Sequence, residues 1–509
     1  LAGNIRDFCY QTNVGDLDFQ CARDYGLVWR MGGPLGRDVL LVADPKALQH
    51  IFHKSGYLYA KSIESDVITG VFTGHSILTA TGRIVHSSRH RAVMNPAFSA
   101  PQLRSFLPKF RNSAAKLCRL WKEQVLKENP EGTVIAVNKW LARTTLDVLG
   151  ETAFHFEFGA LDDSKNEVSE ACDNMWADSM LHPSVAVILF RESWLWLPRT
   201  LLEAVRYIPT RENSRFRKVW LAIENVASVL VDNAMVEAKA VETEKGKKDV
   251  MSVLVRANMS ENPSLQLSKY EMVSEMSALT FAGHETTANT LTWLLWELSK
   301  QPRYQVQLRE EIKRKREEIA QKNCSAAADF SVEDLESIPL LQALLKEVLR
   351  FHPIVYHVVR YATKDDIIPL SKPITTTAGE VIHEIPIAKG QMIQPSFCAY
   401  NRIKSIWGED ADVFNPMRFI DGQVEHAIKV GIFSNLMSFS AGVRGCIGWR
   451  FSLIEMQAIL VGLVENFEFS LPPTPTEILR MPIRVMSPMV KGRLDEGVMM
   501  PLTVRAVGA

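Results

Sequence analysis

The sequence has no excess of charge of either sign. Its 58 lysines and arginines equal its 58 aspartates and glutamates, so the formal net charge is zero. Proteins that bind nucleic acid through their overall electrostatic field need a positive surplus to meet the phosphate backbone. We therefore expect no nucleic-acid partner. With 47% apolar and 23% charged residues, the composition is typical of a folded globular protein and not of a disordered chain.

Cysteines are few, and their pattern lacks pairs. The chain has seven cysteines, which is an odd number, and they do not have the spacing of a zinc-finger motif. Such a pattern favours reduced thiols in a protein that faces the cytosol over a disulfide framework. The seven are Cys9, Cys21, Cys118, Cys172, Cys324, Cys398 and Cys446.

Long apolar runs are also lacking. A helix that spans a bilayer needs about 18 or more consecutive, mainly apolar residues. The best uninterrupted run, SVAVILF at residues 184–190, is far shorter. The chain begins at Leu1 and not at a methionine. This start is compatible with a processed chain, or with an N-terminal anchor that precedes Leu1.

The pattern along the chain predicts one large, mainly α-helical domain with small β-sheets. Residues 25–51 read as a small sheet followed by a helix, residues 97–241 show helical periodicity, and residues 357–393 return to short strands. The length would ordinarily suggest several domains. Since we find no repeat, low-complexity tract or linker, we expect a single interwoven domain over residues 1–509.

Two segments within this pattern stand out. Ser268 and Glu271 form a capping box, and helical periodicity continues to Gln301, just before Pro302. This predicts a helix of roughly 50 Å, at a rise of about 1.5 Å per residue, which is long enough to cross a domain. Residues 184–209 are rich in Trp, Leu and Phe. For them we favour core packing, with a membrane-contacting surface or a substrate mouth as the alternative.

A glycine-rich loop near the C-terminus carries the strongest chemical signal. Cys446 stands just before a predicted helix, WRFSLIEMQAILVGLVENF, with Arg444 two residues earlier. A helix N-terminus and a nearby cation both favour a thiolate. Glycines let the backbone turn and allow a flat partner to approach closely. A thiolate held in this way is a metal ligand or a nucleophile.

This loop, FSAGVRGCIG, resembles the haem-ligand pattern F-x-x-G-x-R-x-C-x-G of the cytochrome P-450 superfamily at every fixed position. The resemblance implies that Cys446 is the proximal thiolate ligand of the iron in haem b, and such a ligand favours O–O cleavage. It also implies that Arg444 pairs with a haem propionate, that Phe439 packs beside the sulfur, and that Gly442 belongs to the haem-binding loop. The implied fold has a large helical lobe and a smaller β-rich lobe.

The long helix contains a second motif, FAGHETTANT. Gly283 removes side-chain bulk from the helix face that it shares with Thr286, which we expect to make room for a small ligand and to let a hydroxyl loosen the helix. The motif resembles the family's oxygen-binding pattern [AG]-G-x-[DE]-T-[TS]. By that resemblance, Glu285 and Thr286 are the catalytic residues that supply protons during dioxygen activation.

A third motif, Glu347-Val-Leu-Arg350, places two opposite charges on one helix face. It resembles the family's E-x-x-R element, and Arg418 in Pro416-Met417-Arg418-Phe419 matches the expected downstream partner. The resemblance assigns these three residues a structural role, which is to hold the haem-thiolate loop in place.

Two further arginines are candidates for the haem propionates. Arg360 follows Pro353 where the family usually has such a residue. Arg91 precedes NPAF in a segment that resembles the family's W/H-x-x-x-R helix. Here the sequence departs from the pattern, because Ser87 stands where Trp or His is common and His86 is one residue early. Arg91 is therefore a weaker assignment than Arg444.

The resemblance covers nearly the whole chain and is closest to eukaryotic microsomal members of the family. Short segments such as NPAFS are similar to those of fungal members. It implies a monooxygenase that oxidises a lipophilic small molecule in secondary or xenobiotic metabolism, on the cytosolic face of the endoplasmic reticulum membrane. The substrate pocket would be lined in part by residues 354–359 and by the region near Met489.

The chain has no dinucleotide-binding fingerprint of its own. Electrons would therefore come from NADPH through a separate cytochrome P-450 reductase, with cytochrome b5 as a further candidate partner. Three alternatives stay open from the residues alone. The first is a peroxygenase, isomerase or dehydratase on the same haem fold, the second a non-catalytic haem-binding protein, and the third a cysteine hydrolase that uses Cys446.

Overall fold

The structure is a computed structural model. It describes residues 2–82, 89–127, 129, 131–162, 166–240, 249–323, 329–422, 424 and 428–508. Ser87 and His86, on which the departure from the family pattern rests, lie outside the described residues, as does Cys324.

Helices make up most of the described chain, as the sequence predicts. Several are extended by short 3-10 or π turns at their ends. In chain order they are α1 Ile5–Tyr10, α2 Asp16–Tyr25, α3 Pro45–Gln49, α4 Ile63–Thr73, α5 Ala92–Met94, α6 Ala100–Leu120, α7 Val137–Leu149, α8 Glu167–Cys172, α9 Met175–Met180, α10 Val185–Ser193, α11 Arg199–Ala204, α12 Arg211–Ala240, α13 Val250–Asn258, α14 Lys269–Lys300, α15 Pro302–Asn323, α16 Val332–Glu336, α17 Pro339–Phe351, α18 Phe397–Tyr400, α19 Lys404–Trp407 and α20 Trp449–Asn466.

The strands form four small sheets. One sheet has five strands in the order β1-β2-β8-β5-β3, one has three in the order β4-β12-β9, and β10-β11 and β6-β7 are two-stranded hairpins. The strands are β1 Val28–Gly32, β2 Asp38–Val42, β3 Tyr59–Lys61, β4 Thr133–Ala136, β5 Arg360–Ala362, β6 Asp366–Thr375, β7 Val381–Ile387, β8 Met392–Pro395, β9 Phe467–Ser470, β10 Ile478–Ile483, β11 Val485–Val490 and β12 Pro501–Ala506.

The long helix α14 forms as its sequence predicts. The Ser268 hydroxyl accepts from the N–H of Glu271 while the Glu271 carboxylate accepts from the N–H of Ser268, which completes the capping box. The helix ends at Lys300 because Pro302 has no N–H to continue it. Most of its residues are buried on all sides, which is typical of a core helix. It packs against α7, α12, α17 and α20.

The predicted sheet and helix of residues 25–51 correspond to β1, β2 and α3, and the strands of residues 357–393 to β5–β8. The helical stretch of residues 97–241 is interrupted by β4, a short strand that pairs with β12 near the C-terminus. Local periodicity cannot reveal this strand, because it is stabilised by a partner more than 360 residues away along the chain.

The aromatic-rich residues 184–209 are only partly core. Trp194 is buried, but Phe190, Trp196, Leu201 and Tyr207 are exposed, with Trp196 at 62% and Tyr207 at 69%. The favoured interpretation of core packing is therefore wrong for half of this segment, and the alternative of an exposed apolar surface describes it better.

Helix α12 is the one described helix that is long and apolar enough, by length and composition, to cross a membrane. We did not expect it from uninterrupted apolar runs, because polar residues such as Glu224 and Asp232 break the apolar pattern. The helix packs against α4, α8, α9, α13 and α14. A core helix of a folded domain meets the same criteria.

Candidate active site

The cysteine loop is shaped by one glycine. Two 3-10 turns, Met437–Phe439 and Gly442–Arg444, lead to Cys446, and α20 begins three residues later. Gly442 has a φ of +62°, and a Cβ there would lie 1.8 Å from the carbonyl oxygen of Phe52. Only glycine fits both the conformation and the contact. The sequence predicts that the glycines let a flat partner come close. At Gly442, the group that comes close is the backbone of Phe52.

Cys446 lies deep in the protein, yet its side chain is accessible. The thiol therefore borders an interior space. The N–H of Cys446 donates to the carbonyl of Phe439 at 2.9 Å, which fixes the loop, while the Phe439 ring packs against Phe433 with centroids 6.1 Å apart. Burial raises the pKa of the Cys446 thiol, and the N–H of Gly448 and the charge of Arg91 lower it.

Arg91 braces this loop from the segment just before α5. Its Nη1 donates to the carbonyl of Gly445 at 2.8 Å, next to Cys446. The cation that acts on the thiol is thus Arg91, whereas the sequence suggested Arg444. Arg91 contacts the protein backbone of the loop in the structure, and its predicted propionate contact remains a prediction.

Three cations, Lys61, Arg360 and Arg444, form a cluster beside the loop. The pairing of β3 with β5 places Lys61 opposite Arg360, and Nη1 of Arg444 donates to the carbonyl of Tyr59 at 3.1 Å. Burial, with a smaller contribution from the neighbouring arginines, lowers the pKa of Lys61 to about 8 and that of Arg360 to about 10. Sequence reasoning missed Lys61 because its partner strand lies some 300 residues away.

The residues of this cluster fit the propionates of haem. Nε of Arg444 is buried and has no hydrogen-bond partner among the residues that the structure describes. Asp66 is the carboxylate whose charge acts on all three cations. Buried positive charge of this kind is costly unless it is paired. A flat group with two carboxylates, placed beside a thiol that borders the same interior space, would supply the missing negative charge and use Cys446 as its iron ligand.

Thr286 is held by its own helix. Its Oγ1 donates to the carbonyl of Ala282 at 2.7 Å, the back-bonded state expected of a threonine within a helix. Thr286 is partly accessible, whereas Thr287 is buried. The hydroxyl must therefore leave the carbonyl of Ala282 before it can bond to anything else.

Gly283 does not make room for a ligand as predicted. A Cβ at this position would meet the Cδ1 atom of Leu149 at 3.2 Å. The glycine therefore permits α14 to pack closely against α7. The reason is tertiary, because the missing side chain faces a neighbouring helix that periodicity alone does not identify.

Glu285 lines a cleft of about 100 Å³ between α7 and the α8–α9 segment, and the lining of this cleft includes no residue of the cysteine loop. Its Oε2 accepts from Nε1 of Trp176 at 3.1 Å. Burial raises the pKa of Glu285 to about 7, with a smaller contribution from the charge of Asp173 and against the hydrogen bond from Trp176. Lys139 and Arg143 also line the cleft. The Glu285 carboxyl can therefore gain or lose a proton near neutral pH through the polar cleft that it lines.

The Glu347, Arg350 and Arg418 side chains meet in the core, as predicted. Nε and Nη2 of Arg350 each donate to Glu347 at 2.7 Å, and Nε of Arg418 donates to it at 3.2 Å. All three side chains are fully buried. Arg418 also donates to Asp410 at 2.7 Å, so the cluster fastens the segment after α19 to α17.

Further hydrogen bonds connect this cluster and its helix to the turn before the cysteine loop. Ser438, in the turn that leads into the loop, donates its hydroxyl to the carbonyl of Leu349 on α17. The structural role that the resemblance implied for the three residues is consistent with this chain of contacts.

Comparison with known proteins identifies the family. The family model described as Cytochrome P-450 matches residues 1–494. Cytochrome P-450 monooxygenase 205 of Postia placenta is 32% identical over 99% of this chain and 90% of its own length. Cytochrome P-450 monooxygenase claO of Ampulloclitocybe clavipes is 31% identical over 96% of this chain and 87% of its own length. Both relatives are fungal.

The family implies a haem with thiolate ligation, and the mainly helical fold with small sheets is that of the family. Together with the relatives named as monooxygenases, this establishes the class of the protein. The chain belongs to the cytochrome P-450 family and is an enzyme of its monooxygenase class.

Proposed function

We propose that this enzyme inserts one oxygen atom from dioxygen into a lipophilic small molecule, with Cys446 as the iron ligand. The observation that carries the proposal is the meeting of an accessible thiol deep in the protein with a buried, under-neutralised cation cluster. Core packing alone requires neither the accessible thiol nor the buried cation cluster. A cysteine hydrolase would not need the cations, and the described residues show no histidine bonded to Cys446.

The residues divide the task of holding haem. Cys446 would bind the iron, Arg444, Arg360 and Lys61 would meet the propionates, and Arg91 would keep the loop in place through Gly445. When bound, haem supplies the iron at which dioxygen is activated, one oxygen atom entering the substrate and the other leaving as water.

Glu285 and Thr286 would handle protons in this reaction. Glu285, with its pKa raised to about 7 by burial, can take a proton from the cleft near neutral pH. Thr286 would then rotate its hydroxyl away from the carbonyl of Ala282 and pass a proton on toward the interior space. The two side chains are adjacent in sequence but make separate hydrogen bonds.

The electrons would come from NADPH through a separate reductase, with cytochrome b5 as a second candidate donor. The fungal relatives support a place in fungal secondary or xenobiotic metabolism. The exposed Phe190, Trp196, Leu201 and Tyr207 support contact with a membrane surface, and with it a location on the cytosolic face of the endoplasmic reticulum.

The first test is the carbon monoxide difference spectrum of the dithionite-reduced protein. A strongly red-shifted Soret band in the wild type, lost in Cys446→Ala and kept in the control Cys21→Ala, is the expected result. A band that survives in Cys446→Ala would refute the ligand assignment. Turnover with reductase and NADPH then separates the monooxygenase from a non-catalytic haem protein, and turnover with peroxide alone would indicate a peroxygenase.

A further inference from the structure

A carboxyl group lies buried between two helices that carry parts of the site. Glu455 is on α20, the helix that follows Cys446, and α20 packs against α14, which bears Thr286. The Glu455 side chain is fully buried, and neither of its carboxyl oxygens has a hydrogen-bond partner among the described residues. An unpaired polar group in the core costs stability, so core packing alone gives no reason to keep a glutamate here.

Other fully buried glutamates of the chain are paired. Glu275 lies 2.5 Å from Nδ1 of His90, and Glu347 bonds to two buried arginines. Glu455 forms no ion pair with any residue that the structure describes, and burial raises its pKa well above the usual range. Without a cation nearby, burial favours the neutral form of a carboxyl group. Glu455 is therefore a carboxylic acid with a proton to donate.

The hydroxyl of Thr287, on α14, is the polar group that acts on this carboxyl. Helix α14 has five threonines, and four of them donate Oγ1 to the carbonyl one turn earlier, at 2.7–2.9 Å. The four are Thr280, Thr286, Thr290 and Thr292. Thr287 forms no such bond within the described chain, and neither oxygen of Glu455 accepts a bond from it. Its hydroxyl oxygen is thus available as an acceptor, and the contact needs a donor on the carboxyl side.

A bond between these two side chains would join two parts of the site. Thr287 is next to Thr286, whose hydroxyl must leave the carbonyl of Ala282 before it can act. Glu455 stands about two turns into the helix that begins just after Cys446. The bond would therefore fix the position of this turn of α14 relative to the helix that starts at the cysteine loop.

We propose that Glu455, as a neutral acid, donates a hydrogen bond to Thr287 and so positions the turn of α14 that bears Thr286 relative to the iron ligand Cys446. Glu455 is then a positioning residue, because it acts through Thr287. The inference rests on the proposed function for the roles of Thr286 and Cys446. A stability cost that is accepted for the sake of the reaction is expected at such a position.

The test uses carbon monoxide as a probe on the reduced, haem-loaded protein. Infrared difference spectra recorded on photolysis of the carbon monoxide show the C–O stretch and those protein groups that respond to the ligand. The variants are Glu455→Gln, which keeps the shape and an N–H donor, Glu455→Leu, and Thr287→Val, which removes the hydroxyl. Gln457→Leu is the matched control, because Gln457 lies on the same helix and bonds instead to Gln342 of α17, at 3.5 Å.

We expect the wild type to show the carbonyl band of a protonated carboxyl group that responds to photolysis. This band should be lost in Glu455→Gln and Glu455→Leu, and it should shift to higher frequency in Thr287→Val, where the hydrogen bond is missing. The C–O band should be single in the wild type and Glu455→Gln but shifted or split in Glu455→Leu and Thr287→Val. Gln457→Leu should leave both bands unchanged.

Stability separates positioning from a merely structural role. Glu455→Leu should unfold at the same temperature as the wild type or a higher one, because it removes an unpaired buried polar group. A clear loss of stability in Glu455→Leu with an unchanged C–O band would show a structural role and overturn the proposal. The absence of a carboxyl band that depends on Glu455 would also overturn it.

Failure of the proposed function would be seen separately, as a missing Soret shift in the wild type. Hydrogen exchange of residues 282–290, measured by mass spectrometry on the same variants, tests the contact without carbon monoxide. Faster exchange in Glu455→Leu and Thr287→Val, with wild-type exchange in Glu455→Gln and Gln457→Leu, supports the contact. Equal exchange in all variants overturns it.

Discussion

Single residues decide how the cysteine loop closes. Gly442 combines a left-handed backbone with a contact that no Cβ could make. We expect Gly442→Ala to lower the free energy of unfolding by about 2 kcal/mol or more, since both strain and a clash must be relieved. Thermal unfolding and the Soret signature would be measured together.

Gly492→Ala is the matched control for that variant. Gly492 has a φ of +80°, but a Cβ added at this position would meet no atom of the described chain within 4 Å, so only the conformational cost of about 1 kcal/mol should appear. If the two variants lost equal stability, the contact with Phe52 would carry no energy of its own.

Thr286 is the residue at which proton supply can be separated from haem binding. Thr286→Ala should keep the Soret signature but lower the product formed per NADPH several-fold, with hydrogen peroxide as the by-product. Thr286→Ser, which keeps a hydroxyl, should restore most of the coupling. Fully coupled turnover in Thr286→Ala would contradict the proton-transfer role.

Glu285 should make stability depend on pH. Its pKa is about 7 in the folded protein against an ordinary value of 4.5, so the folded state binds more protons than the unfolded state between these values. Stability from this group is therefore present below about pH 4.5 and falls as the pH rises toward 7.

The variant Glu285→Gln should remove this part of the pH dependence, so that it gains stability relative to the wild type as the pH rises from 5 to 8. Glu170→Gln, at the rim of the same cleft, serves as the control. Parallel curves of melting temperature against pH for wild type and Glu285→Gln would refute the raised pKa.

At the scale of elements, the buried charge cluster joins α17 to the segment that leads to the cysteine loop. Removing one partner leaves an unpaired buried charge, which costs about 3–5 kcal/mol. Arg418→Ala should therefore unfold at much lower denaturant concentration and lose haem. Lys491→Ala, from a surface pair with Glu477, should lose about 1 kcal/mol at most; equal losses would contradict the structural role.

Elements were predictable where local chemistry sets them. The ends of α14 follow from a capping box and a proline, and the cysteine before α20 follows from a loop of fixed spacing. Lys61, the packing role of Gly283 and strand β4 were not predictable in this way. Lys61 and strand β4 depend on partner strands that are distant along the chain. The role of Gly283 depends on which helix packs against its face of α14, and local sequence patterns do not identify that helix.

At the scale of the whole molecule, the α10–α11 segment exposes several large apolar side chains, Trp196 and Leu201 among them. If this region contacts a membrane, replacing Trp196 and Leu201 with Ser should reduce co-sedimentation with phospholipid vesicles several-fold, because buried apolar area drives such binding. Replacing the exposed Val229 and Val236 of α12 with Ser is the control. Unchanged sedimentation of the first variant would place the membrane contact elsewhere.

The cysteine loop is completed by residues from the opposite end of the chain. Gly442 rests on Phe52, Arg444 bonds to Tyr59, and Arg91 bonds to Gly445, with sequence separations of 385 and 354 residues for the two hydrogen bonds. Contacts of such high order form late, because long loops must close before any of them can be made. During synthesis, a nascent chain that has not yet reached Cys446 holds neither the thiol nor the carbonyl of Gly445 to which Arg91 bonds. Capture of the prosthetic group is thus expected to be a late step of maturation.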